Sequence, residues 1–105
     1  MPSNLVGGTN FSLTVSSSSC TFLLVISSIN TQGELFFCSY YGSFHLKRLS
    51  TPGAISSGLK FYQKNNVLYG NREGVMWNIV PLQNEHTYQT NNESNPSEAT
   101  EIKPV

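Results

Sequence analysis

Apolar and polar residues alternate along most of the stretch from residue 10 to residue 82, a pattern typical of β-strands that bury one face. Residues 21–29 are apolar on both faces, as expected of a central strand. Turn-forming residues separate these runs, and no segment has a helical periodicity of useful length. About seven short strands are predicted, at residues 11–16, 21–29, 34–41, 43–49, 59–63, 67–70 and 75–80. This spacing predicts an all-β fold, an antiparallel β-sandwich or small barrel, with a polar C-terminal arm.

The segment 30–33, Asn-Thr-Gln-Gly, predicts a hairpin turn between the second and third of these strands. With the turn centred in that segment, Val25 lies opposite Cys38. Cys20 then lies five residues, about 16 Å, from the position opposite Cys38, which disfavours a disulfide within the hairpin. Pairing through another sheet stays open. Two cysteines without metal-ligand spacing to either histidine favour two free thiols in a reducing compartment.

The composition excludes several classes of function. Only 11% of the residues are charged, Asp is absent, and Ser, Thr, Asn and Gln together number 38, so hydroxyls and amides solvate the surface. Without a basic excess, nucleic-acid binding is not expected. Few side chains can serve as general acid or base, and His45 is interpreted as a surface strand residue, so neither an enzyme nor a cofactor is predicted. The longest apolar run, Phe22–Ile26, is too short for a membrane helix, and the N-terminus does not resemble a secretory signal.

Charge and apolar content both change after residue 82. Residues 1–82 carry a net charge of +3, whereas residues 83–105 carry −3 and are almost entirely polar. Three parts are therefore predicted: an N-terminal extension at 1–9, a β-sandwich domain at 10–82 and an acidic polar arm at 83–105. The arm cannot bury enough apolar area to order itself, so a neighbouring copy is expected to hold it. The candidate docking residues are Lys47, Arg48, Lys60 and Lys64, for which a solvated basic face is the simpler interpretation.

Aromatic residues supply the candidates for binding. Alternation along a strand sends adjacent aromatic side chains to opposite faces, so some of them face away from the core. For the outward ones we favour contact between subunits over stacking on a sugar. The candidates are Tyr40, Tyr41, Tyr62, Tyr69 and Trp77, although for Trp77 a place in the core is the favoured interpretation. A small all-β domain with few charges on its edge strands is marginal alone, which predicts a homo-oligomer.

The strand and turn pattern of Gly58–Asn71 and Val75–Leu82, together with that of Gly33–Tyr41, resembles small β-domains at the ends of bacteriophage tail fibres and head fibres. The likeness covers about residues 10–82. It implies a non-enzymatic protein of the virion, assembled in the host cytoplasm, with other virion proteins as partners and a trimer as the favoured homo-oligomer. Because the chain has no fibrous shaft, a head-decoration or fibre-tip subunit is expected. The alternative is a stand-alone carbohydrate-binding module for a cell-surface glycan.

Overall fold

A computed structural model describes residues 4–7, 10–29, 31–82 and 88–105. The described residues form two five-stranded antiparallel sheets, which confirms the predicted β-sandwich. In chain order the strands are β1 (Asn4–Gly7), β2 (Asn10–Val15), β3 (Cys20–Ser28), β4 (Thr31–Tyr40), β5 (Phe44–Arg48), β6 (Lys60–Lys64), β7 (Val67–Asn71), β8 (Met76–Pro81), β9 (Tyr88–Asn91) and β10 (Thr100–Ile102). Sheet A has the order β1-β8-β3-β4-β5 and sheet B the order β10-β6-β7-β2-β9. A short 3-10 turn, Ala54–Ser56, precedes β6.

The two sheets meet through one layer of aromatic and aliphatic side chains. Trp77 of sheet A is fully buried and stacks on Phe11 of sheet B, with ring centroids 5.1 Å apart. Phe61 contacts the Trp77 ring edge-on at 6.4 Å and the Phe36 ring at 5.3 Å. Gly70 of β7 faces the Trp77 ring so closely that a side chain there would meet it at 2.8 Å. These contacts hold the sheets face to face and fix which strand face points outward.

The pairing of β3 with β4 differs from the predicted hairpin. Cys38 lies opposite Phe22, not opposite Val25, so the predicted register was wrong by three residues. The reason is that β4 already begins at Thr31, inside the segment expected to form the turn. Gly33 is accordingly a strand position, where a side chain would meet the neighbouring strand's backbone at 3.1 Å.

The free thiols that the sequence favours are present. Cys20 and Cys38 are both buried and both unpaired. Burial raises the pKa of the Cys38 thiol far above its ordinary value. Burial also raises the pKa of Cys20, against a smaller opposing effect of a hydrogen bond with Tyr88. Both side chains therefore serve as core residues in their protonated form.

The described C-terminal residues are part of the sandwich, which corrects the boundary predicted at residue 82. β9 pairs with β2 at one edge of sheet B, and β10 pairs with β6 at the opposite edge. Tyr88 anchors β9, because its ring packs on Phe22 at 5.4 Å and its hydroxyl donates to the Thr21 carbonyl oxygen at 2.9 Å. At the end of the chain, Val105 exchanges backbone hydrogen bonds of 2.9 and 3.0 Å with β5. Backbone pairing orders this polar sequence without a large apolar face.

Residues 92–99, which we call the strap, connect the two edges of sheet B. Because the inner face of this sheet packs against sheet A, the strap crosses its outer face. The Asn71 side chain donates to Asn95 Oδ1 at 2.8 Å, and Lys64 Nζ donates to Glu98 Oε1 at 2.8 Å. The arm expected to reach a neighbouring copy thus lies across its own sheet.

Candidate functional site

The outer face of sheet A departs from an ordinary sandwich surface. Leu23 and Val25 of β3, Leu35 and Phe37 of β4 and Val80 of β8 alternate with core residues and are only half-buried. The register places Val80, Leu23 and Phe37 in one row across the strands, with Val25 beside Leu35 in the next. We call these five side chains the apolar face.

Exposed apolar side chains extend the apolar face at its margins. Met76, Leu49 and Leu82 are 38%, 50% and 49% exposed. The outward residues of β3, β4 and β8 include no charged side chain, and Lys47 on β5 is the nearest one along the row of Phe37. Sandwich strands ordinarily place polar residues on their outer faces, so an uncharged apolar surface of this kind is a candidate interaction site.

Asn78 interrupts the apolar face. It lies on β8 opposite Val25, between Met76 and Val80 along its own strand. Its Oδ1 atom is shielded from solvent and accepts no hydrogen bond from the residues that the structure describes. An unpaired amide oxygen of this kind costs about 1–3 kcal/mol, so its presence on an outward face calls for an explanation.

The predicted aromatic candidates lie in three separate places. Trp77 is fully buried between the sheets, which confirms the favoured core interpretation and removes it from the candidates for an interface or ligand. Phe11 stacks on its ring and Phe61 meets it edge-on. Tyr40 is half-buried and packs on Phe44 with centroids 4.6 Å apart.

The other three tyrosines face outward. Tyr62 and Tyr69 lie opposite each other on the outer face of sheet B, which the strap crosses, and both are half-buried. Tyr41 is 63% exposed beside the β4–β5 turn, and it stacks on His45 with centroids 4.7 Å apart. The fold therefore does not assemble a continuous row of exposed aromatic rings.

A polar groove opens where the β4–β5 turn, the β6–β7 turn and the end of the strap meet. Its volume is about 360 Å³, and its lining has no aliphatic or aromatic side chain. The lining residues are Gly42, Ser43, Gln63, Lys64, Asn65, Glu98 and Thr100. The lysine and glutamate form an ion pair of 2.8 Å, so the groove is close to neutral and rich in hydrogen-bonding groups.

The four basic residues predicted to dock the arm divide between different roles. Lys64 does contact the acidic segment, through Glu98 of its own chain. The Arg48 side chain instead forms an ion pair with Glu34, which corrects its expected role, because the inward face of β5 points that guanidinium toward the sandwich interior. Lys47 and Lys60 are exposed on β5 and at the start of β6.

Sequence reasoning missed a buried carboxylate at the end of the sandwich. Glu34 is 1% exposed and accepts hydrogen bonds from the Arg48 guanidinium, from the Gly53 backbone at 2.8 Å and from the Ser56 hydroxyl at 3.1 Å. The guanidinium also lies 4.7 Å from the centre of the Phe36 ring. This cluster ties the loop before β6 to sheet A. Alternation with Phe36 was the available signal, because it places Glu34 on the inward face of its strand.

Neither a metal centre nor a membrane helix is found in the described residues. No group of three or more His, Cys, Asp or Glu side chains in those parts of the chain could hold a metal ion. No helix there has the length and hydropathy needed to cross a membrane.

No protein-family model, curated protein or solved structure matches the chain.

Proposed function

We propose that this chain is a structural subunit of a virion surface, a head-decoration or fibre-tip protein that works by assembling with copies of itself and with other virion proteins. The observation that carries the proposal is the apolar face of sheet A, which gives a small, weakly charged sandwich a surface suited to protein association. The resemblance of the strand pattern to phage fibre domains supports the same assignment, and the virion is the proposed location.

The size of the apolar face sets the expected strength of assembly. Three strands about 4.8 Å apart and six residues long at about 3.3 Å per residue cover about 285 Å². Two such faces bury about 570 Å² together, which is less than the roughly 1,200 Å² of stable specific interfaces and is typical of a weak, transient contact. A gain of about 25 cal/mol per Å² is then largely offset by the cost of association, so we expect micromolar rather than obligate association. A virion lattice, which presents many copies at once, strengthens such a contact by multivalency.

The test is the mass in solution, measured by light scattering after gel filtration over protein concentrations from about 1 to 500 μM. We expect the full chain to associate with rising concentration. Phe37→Lys places a charge in the apolar face and should give a folded monomer. Gln89→Lys, on the exposed face of β9 in sheet B, is the matched control and should associate like the unaltered chain. A monomer at every concentration would refute assembly through this face.

Carbohydrate binding is the second candidate, and the polar groove favours it. Hydroxyl, amide and paired charged groups line the groove, and the exposed Tyr41 directly precedes Gly42 of its lining. Sugars are recognised by such hydrogen-bonding groups together with an aromatic ring. A glycan array followed by NMR titration tests this function. Binding that Tyr41→Ala abolishes and Tyr62→Ala leaves intact would establish it, and an empty array would count against it.

A further inference from the structure

Asn78 supplies a reason for two copies to meet in one particular orientation. Its amide is the polar group within the apolar face, and its Oδ1 atom is buried and unpaired. Rotation about the Cβ–Cγ bond turns that oxygen outward. An amide carries both a donor and an acceptor, so two asparagine amides can satisfy each other with a pair of N–H···O hydrogen bonds. A second copy of this residue is therefore a complete partner for it.

We propose that the apolar face binds a second copy of the chain about a twofold axis that runs across the strands of sheet A along the row of Asn78, Val25 and Leu35. This inference rests on the proposed function and names the partner and symmetry of the same surface. The axis brings Asn78, Val25 and Leu35 each opposite its own copy, as an isologous contact requires. The proposed assembly is thus a dimer, in place of the trimer that the resemblance to fibre domains implies.

The other residues of the apolar face fit this arrangement. The axis brings Leu23 and Val80 over the row that holds Ser27 and Met76, which are small or flexible. Lys47 lies in the row of Leu23 and Phe37, two residues from the axis. Its distance from the partner's copy is then about 13 Å at the usual strand rise, which exceeds the screening length at physiological salt. The uncharged remainder of the face adds no like-charge repulsion.

A single buried amide in an otherwise apolar contact specifies register. Sliding the two sheets by one row would place Asn78 against Val80 of the other copy and leave both amides unpaired inside the interface. The apolar residues supply the attraction and Asn78 selects the alignment. This division of roles distinguishes the proposal from a non-specific hydrophobic contact.

The first test exchanges the amide for a charge without changing its size. Asn78→Asp places two carboxylates against each other across the twofold axis, so we expect the dissociation constant of the pair at pH 7 to rise at least tenfold. Asn65→Asp, the same substitution in the β6–β7 turn on sheet B, should leave it unchanged. Sedimentation equilibrium measures both, and circular dichroism verifies that each variant is folded. An unchanged dissociation constant for Asn78→Asp would overturn the proposal.

The second test reads the position of the axis directly. Asn78→Cys places two thiols next to each other at the axis, so a short bismaleimide should join two copies through that residue. Ser27→Cys, at the margin of the same strands, should not join to itself. A trimer in solution, or cross-linking at Ser27→Cys but not at Asn78→Cys, would overturn the twofold pair while assembly itself stands. If the unaltered chain stays monomeric, both this inference and the proposed function fail.

Discussion

The contact between Gly70 and Trp77 gives the sharpest prediction about the core. A Cβ atom at Gly70 would lie 2.8 and 2.9 Å from two carbon atoms of the Trp77 ring, whereas ordinary contacts lie at 3.4 Å or more. The ring cannot swing away, because it stacks on Phe11 and meets Phe61 edge-on. The backbone at Gly70 does not have a positive φ, so alanine suits its conformation. Gly70→Ala is therefore purely a test of packing.

The magnitude follows from two opposing effects. Overpacking a rigid core costs about 1–3 kcal/mol, whereas replacing glycine by alanine in a compatible conformation stabilises by about 0.4–1 kcal/mol through the unfolded chain. We expect Gly70→Ala to lower the free energy of unfolding by about 1–2 kcal/mol, equivalent to a Tm lower by roughly 5–10 °C in a domain of this size. Urea unfolding followed by far-UV circular dichroism measures the change, with equal m-values as a check on two-state behaviour.

A control and a double mutant separate packing from backbone effects. Gly53→Ala is the matched control, because its Cβ would lie 3.6 Å from the nearest side-chain atom, and its stability should stay within about 0.5 kcal/mol. Trp77→Leu removes the obstructing ring atoms, so adding Gly70→Ala to that variant should cost nothing further. A coupling energy of about 1–2 kcal/mol is expected between the two sites. Strictly additive effects, or equal stabilities for the two alanine variants, would refute the steric argument.

Three further predictions concern the polar cluster, the strap and the thiols. Glu34→Gln leaves the Arg48 guanidinium without its counter-charge and should cost about 3 kcal/mol in urea unfolding, whereas a cost below about 1 kcal/mol would show that the cluster is dispensable. The hydrogen bond from Lys64 lowers the pKa of Glu98, so this contact stabilises the fold above the ordinary pKa of 4.5 and is lost as the pH falls through the lower pKa of the folded chain. Hydrogen exchange of the strap amides should therefore rise only in that acid range. Glu98→Gln should remove this pH dependence. Ellman's reagent at pH 8 should label neither thiol of the native chain but both after denaturation, since burial raises the pKa of Cys38; rapid native labelling would show that the core opens readily.

The predicted strands and core follow from local patterns. Alternation of apolar residues at Phe11, Leu13 and Val15 is sufficient to place β2 and its inward face, since a strand exposes one side of the chain at every second residue. The same reasoning found β3 to β8, with errors only at their ends. Element type was predictable because it depends on neighbours within a few residues.

What the sequence could not predict depends on long-range pairing. β9 and β10 are polar, and their order comes from backbone hydrogen bonds to β2 and β6 and from the single aromatic anchor Tyr88. Edge strands of this kind carry little side-chain signal. The predicted β3–β4 register was wrong because β4 begins at Thr31, three residues before the predicted start, and because the register shifts between Ile26 and Ser28.

The candidate site was predictable only in part. Apolar residues on both faces of 21–29 indicate a central strand, but they do not say that the second face lies open. That follows only from the topology, in which the polar strap crosses the outer face of sheet B and nothing described crosses that of sheet A. The burial of Trp77 likewise depends on Gly70. This glycine faces the Trp77 ring only because β7 and β8 lie in opposing sheets, which local sequence patterns do not indicate.

The position of the strap explains why association should use a face rather than an edge. Unpaired edge strands invite uncontrolled pairing between chains, and a protein with 11% charged residues has few side chains with which to block it. Here the edge strands of sheet B, β9 and β10, are only four and three residues long and mostly polar, and Val105 pairs with the β5 edge of sheet A. Polar segments of the chain therefore limit edge-to-edge pairing between copies, as charged residues do in other β-proteins. The proposed association would therefore use the apolar face of sheet A, where one asparagine among apolar residues would select the partner by shape and register rather than by charge.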